Sequence, residues 1–401
     1  MKIVIINAVY KVGSTGSIVY DIEQSCKEQG IDSIVVYTVP CSQSRSLNDY
    51  VIGSYVENKL HALLSRISGK QGYFSCFATK SFLKFLDYYK PDIVHLHNLH
   101  GCFINLPLLL QYLSDNNIAT VVTLHDCWFY TGGCTHYTAS GCNRWKSTCG
   151  KCPRRYEEFQ AYLWDSSKRQ LADRKKLFGS IKKMAVVGVS DWIKEEACLT
   201  VFKNARSLTI RNGIDVRFFH PVDASKLRKK LQLEKKFVVL APANKWFMKV
   251  NRETLNYFID MLTEDMIMLF IGRGVDERFL KGNMLNLGFI QSREDIREIY
   301  SSADVMINCT REESLSLLNV EVQACGTPVI TYSNTGVKET VDGQCGFAVE
   351  NGNPQALWEQ MQIVKRNTKS FYSGKCVRWA YEEFDKNKNY QKYIELYKSM
   401  I

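Results

Sequence analysis

The stretch from Val305 to Tyr332 constrains the fold more than any other. It opens with the strand-like Val305-Met306-Ile307-Asn308, passes through Cys309 and Thr310, and enters Glu313-Ser-Leu-Ser-Leu-Leu-Asn-Val-Glu321. Gly326-Thr327-Pro328 then breaks a helical run before a second strand, Val329-Ile330-Thr331-Tyr332. Strand, loop, helix, turn and strand is the unit from which parallel sheets are built, so an α/β fold is expected. Inside that unit two carboxylates flank a helix start, whose free N–H groups and positive dipole end suit a diphosphate. Glu313 and Glu321 could then accept hydrogen bonds from sugar and ribose hydroxyls. Two glutamates at this spacing are also common on solvated helices, so spacing alone does not decide.

The chain has 401 residues, 45% of them hydrophobic, which suggests two or three domains with sizeable cores. Met1-Lys2-Ile3-Val4-Ile5-Ile6-Asn7 reads as a first strand, because its apolar run is too short for a signal peptide. No window approaches the ~20 apolar residues that span a bilayer, so a cytoplasmic chain is expected. A net charge of +11 suits nucleic acid, an anionic membrane surface or a phosphate-bearing substrate. The basic residues are spread out and no nucleic-acid module is recognisable, so no nucleic-acid partner is expected.

Other segments carry candidate chemistry. Gly13-Ser14-Thr15-Gly16 follows the first strand and opens a helix, which forms either an anion-binding corner or simply a tight turn. His95 and His97 share one face of the strand in Pro91-Asp92-Ile93-Val94-His95-Leu96-His97, and with His100 they either ligate a metal or make ordinary hydrogen bonds. Thr123-Leu124-His125-Asp126 ends the next strand, where ligands of open α/β sheets gather. Lys245 and Lys249 follow the strand Phe237 to Pro242. Cys134, Cys142, Cys149 and Cys152 fall within one short segment. That spacing is compatible with a structural tetrathiolate zinc, with free or redox-labile thiols, or with disulfides. Two stretches have amphipathic, basic character: Phe82, Phe85, Leu86 and Tyr89 among Lys80, Lys84 and Lys90, and Trp164 ahead of Lys168, Arg169, Arg174, Lys175 and Lys176. Each is either a membrane-surface helix or a core-packed helix with a solvated face.

The segment from Glu313 to Val329 resembles the retaining family 4 (group 1) glycosyltransferases, whose signature is Glu, seven residues, Glu, then a helix and Ala-Cys-Gly-Thr-Pro-Val. The resemblance extends over nearly the whole chain, and the cysteine-rich insertion is similar to that of bacterial capsule, colanic-acid and O-antigen enzymes. It implies the GT-B fold, two Rossmann-like domains facing across a cleft. Residues 1–211 would form an N-terminal acceptor-side domain with the insertion 134–153, and 212–386 a C-terminal nucleotide-sugar domain. The helix 387–401 would pack back on the N-terminal domain, with the crossover at Asn212-Gly213-Ile214-Asp215.

The resemblance also implies site roles. Glu313 and His125 would act at the donor sugar. Glu321 would hold the ribose, Lys245 and Lys249 the diphosphate, and Gly13 and Gly16 donor phosphate or acceptor. Ser314, Leu315 and Ser316 replace the family's Gly-Phe-Gly beside the donor, and the usual arginine near Lys245 has no counterpart. No Asp-x-Asp occurs, so no catalytic cofactor is expected and the only metal would be structural zinc. The implied reaction moves a sugar from a nucleoside-diphosphate sugar to a saccharide acceptor, carried on polyprenyl diphosphate in surface-polysaccharide synthesis. A peripheral place on the inner face of the plasma membrane would follow. The alternatives are a catalytically silent binding protein of the same fold, or an epimerase or phosphorylase.

Overall fold

The computed structural model describes residues 1–38, 49–158 and 160–401. The chain forms two compact units, Met1–Arg211 with Asn387–Ile401, and Asn212–Lys386. The first unit holds a seven-stranded sheet: β1 (Lys2–Ile6), β2 (Asp32–Tyr37), β3 (Asp49–Val51), β4 (Ile93–Leu96), β5 (Ala119–Leu124), β6 (Met184–Gly188) and β7 (Arg206–Thr209). Their order is β3-β2-β1-β4-β5-β6-β7, and every pairing is parallel. The strands are short unbroken apolar runs because helices cover both faces of a parallel sheet. Ile3 to Ile6, Ile93 to Leu96 and Ala119 to Leu124 are buried throughout.

The second unit repeats the plan with β8 (Phe237–Pro242), β9 (Met266–Ile271), β10 (Met284–Gly288), β11 (Val305–Asn308), β12 (Val329–Tyr332) and β13 (Gly346–Val349), in the parallel order β10-β9-β8-β11-β12-β13. Both sheets reverse direction of winding beside their first strand, the switch point where open α/β sheets bind ligands. In the core of the second unit Trp246, Phe258, Phe270 and Trp358 meet edge-to-face.

The connecting segments lie side by side. Ile214 N–H donates to Phe384 O at 2.8 Å, and Lys386 N–H donates to Ile214 O at 3.0 Å. Gly213 is required there, because a Cβ would come within 2.3 Å of the Lys386 Cα. The final helix, Lys386–Lys398, buries Tyr390, Tyr393, Ile394 and Tyr397. The Tyr397 hydroxyl hydrogen-bonds His95 Nδ1 at 2.7 Å, and the Tyr393 hydroxyl meets Thr123 Oγ1 at 3.0 Å. The end of the chain therefore caps polar groups of β4 and β5 that would otherwise be stranded in the core. Tyr397→Phe, which leaves His95 Nδ1 unpaired, should lower the stability of the first unit by about 1 to 3 kcal/mol in denaturant unfolding. A change too small to measure would show that this hydrogen bond does not hold the helix.

Candidate donor and catalytic site

In the second unit, Glu313 lies in the loop after β11, and the helix Leu317–Ala324 begins four residues later, with Glu321 in its second turn. Ser316 occupies the N-cap without capping the helix through its side chain, and Asn308 Nδ2 donates to its Oγ at 3.2 Å. The N–H groups of the first turn thus gain no hydrogen bond from the capping hydroxyl. Leu315 is buried beside it. Ser314 Oγ is buried with no hydrogen-bond partner among the described residues. Glu313 Oε2 likewise lacks one, its nearest cation being Lys245 Nζ at 3.7 Å. Buried polar atoms are seldom left unpaired, and two adjacent ones at a helix start mark a place for a polar ligand.

Thr335 holds this loop in place. Its hydroxyl donates to Glu313 O at 2.7 Å, while its own backbone sits at φ 41°, a conformation unfavourable for a β-branched residue. Buried Asn251 ties the Lys245 segment to the same loop, donating to Lys245 O at 2.9 Å and accepting from Arg311 Nε at 2.9 Å. Lys245 is thus brought to Glu313. Lys249 is exposed on the following turn, Lys249–Asn251.

A cavity of about 530 Å³ opens at the ends of β8, β9 and β10, lined by Asn244, Arg273, Phe289, Ile299, Tyr300 and Leu318 among others. The Arg273 guanidinium stacks 4.7 Å from the Phe289 ring. The Tyr300 hydroxyl donates to Glu321 Oε2 at 3.2 Å, so this carboxylate borders the cavity. Burial pushes Glu321 up to about 7, against the Tyr300 hydroxyl and the Arg293 charge, which pull it back.

In the first unit, the histidines form a hydrogen-bonded cluster at the ends of β4 and β5. His97 Nδ1 meets His125 Nε2 at 2.8 Å, and the His95 and His97 rings lie 4.0 Å apart. His95 Nε2 bonds Thr123 Oγ1 at 2.7 Å. Burial keeps His125 neutral, lowering it to about 4. Asp126 accepts from Trp128 N–H at 2.9 Å and pairs with His100 Nε2 at 2.9 Å. Burial opposes charge on His100, but the Asp126 carboxylate outweighs it and raises the imidazole above its usual value. Of the two readings of these histidines, hydrogen bonding is the one realised. Gly13, at φ +66°, is exposed at the start of the helix Gly13–Glu28. Gly16 is buried, and a Cβ there would stand 3.3 Å from Lys11 N.

These features have known counterparts. Residues 15–218 match Glycosyltransferase Family 4 and residues 247–367 match Glycosyl transferases group 1. The chain belongs to glycosyltransferase family 4. It is 22% identical over 362 residues to the putative colanic acid biosynthesis glycosyl transferase WcaC of Escherichia coli K12, covering 87% of each chain. It is 25% identical to N-acetyl-alpha-D-glucosaminyl L-malate synthase of Bacillus anthracis over 236 residues, 56% of this chain and 62% of that one. Among solved structures, Anabaena Alr3699/HepE in complex with UDP aligns over 100% of both chains with a TM-score of 0.69 at 17% identity. A glycosyltransferase from Rickettsia africae ESF-5 aligns over 100% of this chain and 98% of its own, also at 0.69 and 16% identity. The fold is GT-B, and this family 4 member is a transferase.

The structure bears on several readings of the sequence. Cys134, Cys142, Cys149 and Cys152 line one small cavity, but among the described residues no group of three or more such side chains is arranged to hold a metal. The Cys134 and Cys152 thiols meet at 3.9 Å, and structural zinc is left without support. Phe82 and Leu86 are buried and Tyr50 packs against Phe82 and Phe85, so the helix Cys76–Tyr89 is a core helix. Arg174 is also internal, donating to the carbonyls of Trp128 and Thr131 with its guanidinium 4.0 Å from the Trp128 ring. No helix among the described residues is long and apolar enough to cross a membrane.

Sequence reasoning missed Thr335, Asn251 and Tyr300. Only Tyr300 carried a signal, since it precedes a strand in a helix whose apolar face could be counted.

The raised Glu321 has a testable consequence for stability. An acid whose folded value exceeds its unfolded 4.5 contributes fully below 4.5, and the contribution is lost as pH climbs through about 7. The stability advantage of Glu321→Gln over the native chain should therefore grow by about 2 to 3 kcal/mol between pH 4.5 and about pH 8. Parallel stability curves for the two proteins would show that Glu321 is not held above its ordinary value.

Proposed function

We propose that this transferase moves a sugar from a nucleoside-diphosphate sugar to a hydroxyl of a saccharide acceptor, with retention at the anomeric carbon. The acceptor in this reading is a growing bacterial surface polysaccharide carried on polyprenyl diphosphate, on the cytoplasmic side of an anionic membrane. The observation that carries the donor assignment is the pair of unsatisfied buried groups, Glu313 Oε2 and Ser314 Oγ, at the start of the helix that bears Glu321. The relative named for colanic acid biosynthesis, matched over 87% of its length, supports the polysaccharide setting. The UDP bound by the HepE structure supports a nucleotide donor.

In this reading the cavity beside Tyr300 takes the base, Glu321 accepts from the ribose hydroxyls, and Glu313 from those of the donor sugar. Ser314, Leu315 and Ser316 bring the first helical N–H groups to the diphosphate, and Lys245 and Lys249 add positive charge, so the departing diphosphate is stabilised without a metal ion. Lysine offers a point charge where a bidentate arginine fork is absent. His125, neutral through burial, donates or accepts at the reacting end of the sugar, and the Gly13–Gly16 corner serves donor phosphate or acceptor. No side chain acts as nucleophile. The leaving phosphate takes the proton of the incoming hydroxyl on the same face.

Calorimetry with UDP, GDP, ADP and dTDP should show binding of one nucleotide, weakened by at least about 1 kcal/mol in Glu321→Ala. If no nucleotide binds, the donor assignment fails. His125→Ala should bind that nucleotide as the native chain does yet lose about a hundredfold or more in turnover. Nucleoside diphosphate should be released only when acceptor is present. Conversion of the nucleotide sugar without acceptor and without release of nucleoside diphosphate would point to an epimerase, and binding without turnover to a silent binding protein.

A further inference from the structure

The helix Tyr55–Ser68 is turned the opposite way from a usual surface helix. Its inward face carries His61 and Ser65, both buried. His61 Nδ1 bonds Ser75 Oγ at 2.7 Å, and Gly72 N–H donates to its Nε2 at 3.2 Å. The face turned to solvent carries Tyr55, Val56, Leu60, Leu63 and Ile67, with Val56 74% and Leu60 and Leu63 each 54% exposed. The spacing of Val56, Leu60, Leu63 and Ile67 places these four on one stripe of the helix, with Tyr55 at its N-terminal edge. The only charged residues of that exposed stripe are Lys59 and Arg66.

A second apolar element adjoins the end of this helix. The N–H groups of Tyr162 and Trp164 donate to the carbonyls of Arg66 and Ile67, at 2.7 and 3.3 Å. Ser166 Oγ donates to Ser68 O at 2.7 Å. This stitching presents Tyr162, Leu163 and Trp164, all more than half exposed, beside Leu63 and Ile67. Exposed Lys168 and Arg169 follow directly in the chain. Gly69 allows the close approach, since a Cβ there would lie 2.3 Å from Trp164 O.

We propose that the outer face of the helix Tyr55–Ser68, together with Tyr162 to Trp164, is a surface that lies in the headgroup region of an anionic lipid bilayer. Two features favour a bilayer over a protein partner. Aliphatic side chains are mixed with tyrosine and tryptophan, the composition of the membrane–water interface. The exposed charges of the helix face, Lys59 and Arg66, and Lys168 beyond it share one sign and sit on long flexible stems that reach past an apolar layer to phosphate. This deepens the lipid-carrier part of the proposed function, although its evidence is independent of the donor site.

The test is co-sedimentation of the intact protein with phosphatidylcholine vesicles, with and without phosphatidylglycerol. The native chain should partition onto the anionic vesicles, and added salt should weaken the binding. Leu60→Glu/Leu63→Glu should reduce partitioning at least about tenfold, and Lys59→Gln/Arg66→Gln should reduce it on anionic vesicles alone. Both pairs lie on the exposed face, so nucleotide calorimetry and thermal unfolding should match the native chain. Loss of nucleotide binding in the native protein would count against the donor reading and leave the surface standing. Absence of vesicle binding, equal binding by the leucine variant, or a native dimer in light scattering that the leucine variant converts to monomer would overturn the bilayer assignment.

Discussion

Burial of both faces of two parallel sheets is the constraint on which the rest of the structure depends. Strands such as β1, β4, β5 and β8 are apolar along almost their whole length because helices cover them on either side. Polar chemistry is thereby excluded from the sheet faces and collected at the strand ends, where backbone groups, helix starts and short loops meet. The exceptions prove instructive. His95 and Thr123 lie inside the strands, and each is satisfied by the other and by a tyrosine of the last helix. A buried polar group survives there only because its partners are complete.

The two sets of candidate residues are prepared differently. Around His125, hydrogen bonds and burial leave a neutral imidazole cluster, with charge confined to the His100–Asp126 pair. Around Glu313 the opposite holds, since a carboxylate oxygen and a serine hydroxyl are left without hydrogen bonds and a lysine stands slightly too far away to satisfy them. The strained backbone of Thr335 is part of that preparation. Its hydroxyl grips the Glu313 carbonyl, so conformational energy is stored where the loop must keep one shape.

Much of this was legible in the sequence. The unbroken apolar runs announced parallel strands, and the strand–helix–strand unit around Glu313 announced the fold, because burial writes directly into composition. The position of His125 after β5 could be read for the same reason. What could not be read was direction and convergence. The amphipathic helix Tyr55–Ser68 shows a period but not which face points inward, and here the apolar stripe points out. Arg174 sits in a lysine-rich run that reads as solvated, yet it is buried against Trp128. Four cysteines in a short segment suggest a shared ion, but spacing alone does not decide it: they line one small cavity, and no metal-holding group is found among the described residues. Thr335 carries no sequence signal at all, since its conformation is imposed by its neighbours.

The return of the last helix to the first unit has a consequence for biosynthesis. Residues 387–401 complete a unit whose strands are all made before the second unit. On the ribosome, His95 and Thr123 must wait through the whole second unit for Tyr393 and Tyr397. Until Tyr393 and Tyr397 leave the exit tunnel, His95 Nδ1 lacks its partner and Thr123 has only His95. Folding of the first unit is therefore completed only after the whole second unit has been made, and a chain that stops before Tyr393 would leave the histidine cluster without part of its support.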